Sequence, residues 1–272
     1  MSNGLPKFLD FTRPGSGDVD DNAYPPFIRF WRRYGRHFLS LLQLNLFYAL
    51  LTLPVYVWLT SLLNVNAAQS GGIVSMLGSL LLYFVMDWPT PVLIGLLAIS
   101  ALLLGPATAA MTHAALNCAW DRPGMFWPEF REAWKVNWKQ ALPIGLLDVF
   151  VCFATVYYFV DGNTIFGSAG GAVKLVWAVL LLLYGLMRVY VYPIMVTVEL
   201  PFGALLKNSL ILALVKPWRP LLVLAVTAVL LALCIVADIV LVPCFLYGMT
   251  AFTAAFLTQP IIEKYLLNPE KE

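Results

Sequence analysis

Asp148 and Arg188 are the residues whose surroundings most demand chemistry, because each ionisable group sits inside a long apolar run. The acid lies within Ala141 to Val160 and the base within Val173 to Val198, runs close to the ~20 residues that cross a hydrocarbon core. A charge at such depth is costly unless a partner compensates it. At ~1.5 Å rise per residue, Asp148 lies roughly 12 Å beyond Gln140, and Arg188 roughly 13 Å before Thr197. Equal depth on two consecutive antiparallel helices predicts that the side chains pair, with Tyr184, Tyr190 and Tyr192 as further hydrogen-bond partners. Two roles stay open for such a pair. It is a staple that sets helix register, or a gate or substrate site, since intramembrane charges also mark transport pathways.

Little else in the chain promises chemistry. There is no GxSxG, no HExxH and no phosphate-cradling glycine loop, and the histidines are His37 and His113, near helix ends. No enzyme, cofactor or metal site is expected. Cys118, Cys152, Cys234 and Cys244 are widely spaced and read as small buried hydrophobes. Gln43 and Asn45 either line a polar path through the first long helix or hydrogen-bond a neighbouring helix. Pro54, Pro106, Pro143 and Pro193 each interrupt a helix, freeing carbonyls to coordinate a ligand or permitting a kink. Asp238 and Glu199 fall near helix ends, where solvated carboxylates are ordinary, and take no role.

The elements that must hold these side chains follow from composition. With 61% hydrophobic and 12% charged residues, lipid is the expected solvent, and continuous rather than alternating apolar runs select helices over a barrel. A polar arm over residues 1–26, rich in Asp, Gly and Pro, carries no apolar core of signal length, so no cleavage is expected. An aromatic and arginine-rich interfacial segment follows at 27–37, then a first helix from Phe38 to about Leu63. The apolar stretch 73–86 is too short to span and reads as re-entrant or interfacial. A second helix runs from about Pro91 to Ala115 through Gly105-Pro106-Ala107-Thr108-Ala109-Ala110, small residues suited to close packing. Aromatics at 127, 130, 134 and 138 place an amphipathic surface helix over 126–140. The third helix covers 141–160, a glycine-rich outer loop 161–171, and the fourth helix 173–198. The apolar residues 221–257 suit a hairpin of two spans with its turn near 238–243, and 263–272 is a tail.

The expected fold is therefore all-α, a polytopic transmembrane helical bundle of about six spans, with 27–262 as one transmembrane domain. All of the 17 Lys and Arg except Lys174 and Arg188 fall in segments that this layout places on one side, so both termini are expected in the cytoplasm. A formal charge of +2 excludes nothing but a nucleic-acid partner. The layout also hints at a three-fold pattern, an interfacial element at 27–37, 126–140 and 200–214 before each helical hairpin. Arg32, Arg33, Trp127 and Trp134 on the first two of these elements dock a partner protein or serve as interfacial anchors.

Leu44-Asn45-Leu46-Phe47 with Leu53-Pro54-Val55, and Gly105-Pro106-Ala107-Thr108-Ala109-Ala110, resemble the first-helix and second-helix signatures of the YesL-like family. Arg13 to Val19, Phe126 to Gln140 with Ala141-Leu142-Pro143, Tyr190 to Pro193, and Lys207-Asn208-Ser209-Leu210 resemble it in the same order. The resemblance implies a multi-pass protein of the bacterial inner membrane, typical of Gram-positive Firmicutes, whose relatives accompany carbohydrate-uptake systems and have no agreed catalytic residues. The stretch between Pro54 and Gly105 is longer than in shorter relatives. The function expected is a non-catalytic accessory or regulatory component that meets transporter permease subunits. The alternative is a small secondary transporter or channel, working as a homo-oligomer, with its site near Asp148 and Arg188.

Overall fold

A computed structural model describes residues 24–62, 90–122, 126–236 and 246–267. Among them are eight α-helices and no strand: α1 (Pro26–Arg36), α2 (Phe38–Leu62), α3 (Thr90–Ala119), α4 (Phe126–Phe166), α5 (Gly170–Thr197), α6 (Phe202–Val215), α7 (Trp218–Val236) and α8 (Tyr247–Ile262). Residues 1–23, the apolar stretch 73–86, the turn expected near 238–243 and the last five residues lie outside the described residues.

Three local features correct the sequence reading. The amphipathic stretch 126–140 is not a separate surface helix. It is the first part of α4, which runs unbroken for 41 residues with Pro143 inside it. Phe130 and Ala133 are buried, so its apolar face packs on protein and the helix has no reason to end. The glycine-rich outer loop expected over 161–171 shrinks to one 3-10 turn, Gly167–Ala169. Only Gly167 takes a left-handed backbone, with φ of 52°, and that one residue suffices to reverse the chain. The element expected at 200–214 is α6, with Leu205, Ser209, Leu212 and Ala213 buried. It meets α7 at a bend of 90°. Pro217 lacks a backbone donor and pushes Lys216 out of the helical region, to φ −129° and ψ 61°, which breaks the run there.

Helix α3 is the hub. Its small residues Ala107, Ala109, Ala110, Ala114 and Ala115 are all buried, the first, third and last two in a cluster with α1, α2, α8 and the start of α4, and Ala109 in one with α4 and α5. Closest approach is to α4. A Cβ on Gly105 would overlap the carbonyl of Ala141, and one on Gly145 would overlap the backbone of Gly105. Large apolar side chains instead point outward, among them Leu146 and Phe150 on α4 and Leu175, Val176, Val179 and Leu180 on α5. A buried stripe of small residues on α3 with large apolar side chains exposed on α4 and α5 is the distribution that lipid-facing helices show. Among the described residues, α5 alone qualifies by length and hydropathy as a membrane span, and α6 with α7 qualifies as a second if the bent pair is one span.

Gly145→Ala is expected to lower stability by about 1–3 kcal/mol, because the methyl meets backbone that has no rotamer to yield. Gly35→Ala, where nothing lies within 4 Å of the new carbon, is expected to be neutral or to stabilise by up to ~1 kcal/mol. Melting curves of the two detergent-purified variants against the parent give the comparison.

Candidate functional site

Asp148 is held from three directions. Arg188 donates from Nε to Oδ1 at 2.7 Å, Tyr184 donates its hydroxyl to the same oxygen, and Tyr192 donates to Oδ2 at 2.8 Å. Residues 184, 188 and 192 follow one another at four-residue steps on α5, so one helix face presents all three to the acid on α4. Tyr190, two residues from Arg188, faces elsewhere: its hydroxyl reaches the carbonyl of Lys216 at 3.4 Å. The acid is 8% exposed, and three donors replace its lost hydration.

Arg188 is less enclosed, with 41% of its side chain accessible. The accessible part borders a cavity of about 240 Å³ between α2, α3, α5, α7 and α8, lined by Tyr48, Thr108, Thr112, Arg188, Tyr192 and Thr250 with apolar neighbours. The guanidinium carbon also lies 5.4 Å from the Tyr192 ring centroid. Tyr48 and Thr108 oxygens are 2.8 Å apart across the α2–α3 contact. Among the described residues no Asp or Glu lines this space.

Gln43 and Asn45 do not line a common path, since residues two apart on a helix face apart. Gln43 is exposed, whereas Asn45 is 1% exposed and accepts a 2.5 Å bond from the backbone N–H of Gly248. That amide lies near the N-terminal end of the described part of α8. Asn45 thereby ties α2 to α8 through a buried hydrogen bond.

The four docking candidates separate as well. Trp127 is exposed and touches Phe47 edge-on, with centroids 4.9 Å apart, while Trp134 is half-buried against Phe130. Arg32 is half-buried and stacks 4.3 Å over Tyr24. Arg33 is not available to a partner in this state. It is 7% exposed, donates to the carbonyl of Ala119 at 2.8 Å, and lies 3.4 Å from Asp121. Asp121 also receives Arg36 at 3.1 Å and His37 at 2.8 Å, so it ties α1 to the end of α3. Beside this cluster, burial pushes the Tyr34 hydroxyl up from its usual pKa. The sequence reading missed Asp121, whose left-handed φ of 49° was the one local sign, visible only in three dimensions.

Pro106, Pro143 and Pro193 lie inside α3, α4 and α5 without ending them. Cys118 and Cys152 are free and half-buried, and no group of His, Cys, Asp or Glu among the described residues is placed to hold a metal.

Asp148→Ala is expected to cost about 3 kcal/mol, the lower end for a broken buried pair because the guanidinium keeps access to the cavity. The double variant Asp148→Leu with Arg188→Met should regain most of that loss. A charge swap should not, since an arginine at 148 has no acceptor for the hydroxyl protons of Tyr184 and Tyr192. Thermal unfolding of the three variants, followed by size-exclusion fluorescence, distinguishes these outcomes.

No curated protein and no solved structure matches the chain. A family model described as a protein of unknown function, DUF624, matches residues 70–159, a stretch that takes in α3 and most of α4, Asp148 included, and stops short of Arg188.

Proposed function

We propose that this chain is a membrane protein of about six spans, both ends cytoplasmic, that acts without catalysis as an accessory component beside a carbohydrate-uptake permease. One observation carries the reading: its aromatic and basic elements gather at one end of the bundle. Arg33 bonds the last carbonyl of α3, Trp127 packs on Phe47 of α2, Gln140 bonds the carbonyl of Leu200 before α6, and Arg219 bonds that of Leu257 in α8. Tyr158 and Trp177, whose rings lie 5.0 Å apart, flank the opposite turn. A collar of Arg, Lys and Trp at one end, with apolar side chains facing outward below it, is the pattern that positive-inside topology and interfacial aromatics produce. The collar leaves Trp127 and Trp138 exposed to a partner. The carbohydrate association comes from the resemblance to the YesL-like family, with which the DUF624 match is consistent.

A second reading, a small transporter, is favoured by the cavity beside Arg188 in the middle of the bundle.

Topology is tested in a background with the native cysteines replaced. Ser168→Cys, in the turn after α4, should react with a membrane-impermeant maleimide on intact cells, and Val136→Cys should react only after lysis; the reverse pattern would refute the orientation. Affinity purification from the native host should then recover permease subunits in stoichiometric amount. Recovery of the chain alone, as a uniform oligomer, would reject the accessory role in favour of the transporter.

A further inference from the structure

We infer that the cavity beside Arg188 is a binding site for a small amphipathic carboxylate, whose oxygens would bridge the two Nη groups of that guanidinium. The argument begins with the donors. Each threonine on the wall returns its proton to its own helix: Thr108 to Leu104, Thr112 to Thr108, Thr227 to Val223 and Thr250 to Tyr247, at 2.7 to 2.9 Å. With the Thr108 proton so committed, Tyr48 must donate to its oxygen, and Tyr192 donates to Asp148. Arg188 differs. Its Nε serves Asp148, and its Nη groups make no hydrogen bond among the described residues while the side chain stays 41% accessible. They are charged donors beside a wall whose threonine hydroxyls are already committed, and the Tyr247 hydroxyl is a further donor in the same lining.

Charge favours an anion there. Asp148 balances Arg188 formally, but two tyrosine hydroxyls also point their protons at the carboxylate, which disperses its charge and leaves the far edge of the guanidinium positive. The planar fork of two Nη groups matches the spacing of two carboxylate oxygens. Among the described residues no acidic lining residue competes.

Size and polarity set the rest of the ligand. Met111, Val189, Val223, Leu224 and Leu246 supply an apolar wall, and the volume of about 240 Å³ exceeds the ~150 Å³ that suffices for a benzene ring. A compact hydrocarbon body with one acidic end fits. Such a group reaches the cavity from water as a free organic acid, or from the bilayer as the head of a fatty acid. The inference does not depend on the accessory role, and the topology experiment above does not bear on it.

The test uses the full chain in lipid nanodiscs with benzoate and palmitate as probes, benzamide as the uncharged isostere of benzoate, and equilibrium dialysis of radiolabelled probe as readout. At least tenfold preference for benzoate over benzamide is expected, falling at least tenfold in Arg188→Lys, which keeps the charge and loses the fork. Ala254→Leu, which fills the cavity without touching the ion pair, should abolish binding and keep the parent elution profile, so it decides the matter if Arg188→Lys fails to fold. Saturable binding of palmitate without benzoate assigns the same carboxylate site to the lipid source. Failure of folded wild-type protein to bind either acid, equal binding of benzamide, or full binding by Ala254→Leu would overturn the assignment.

Discussion

Gly105 and Gly145 let the backbones of α3 and α4 touch, and the remaining architecture is arranged around that contact. In a solvent as apolar as leucine, helices gain nothing from hiding leucine, and association rests on close packing and on polar groups that have nowhere else to go. The small residues of α3 serve the first requirement on two sides, toward α2 and α8 and toward α4 and α5. The second is met at scattered places, among them Asp148 with its three donors, Asn45 with Gly248 of α8, and Tyr48 with Thr108. Each joins a different pair of helices.

These polar joints are not alike. Asn45 accepts from the Gly248 backbone amide, and Gly248 must be glycine because a Cβ there would crowd the Asn45 side chain. Asp148 is saturated, and nothing about it requires a ligand. Arg188 is the asymmetric partner, engaged on one edge and accessible on the other. One ion pair thus contains both a closed half, which holds α4 to α5, and an open half.

Much of this was legible in the chain. Apolar run lengths placed α2, α3 and α5 within a few residues of their observed ends, and the cost of a lone buried charge pointed Asp148 to Arg188. Four-residue spacing singles out Tyr184 and Tyr192 over Tyr190, a distinction that helix geometry contains and mere proximity in sequence blurs. The continuity of α4 was hidden by a change from polar to apolar composition and by Pro143, both ordinary signs of a boundary, overridden here by packing against α3. Asn45 and Gly248 are 203 residues apart, and no local pattern announces a hydrogen bond between two such distant helices. Asp121 reads as a loop acid until α1 brings Arg33, Arg36 and His37 to it. The cavity is a property of where four or five helices fail to meet, which periodicity within any one of them does not encode.

The length of α4 has a thermodynamic consequence. Its 41 residues extend for roughly 60 Å, about twice a hydrocarbon core, so the turns bearing Trp127 and Trp138 stand in water if the apolar part is in lipid. Contacts made lower on the same helix carry no hydrophobic term, but contacts made on those turns do, at about 25 cal/mol for each Å² covered. A protein that binds there does so with the negative heat-capacity change of aqueous association, while one that binds along the apolar face of α5 does not. Two surfaces of one rod thus obey different temperature laws, and calorimetry can tell from which of them a partner hangs.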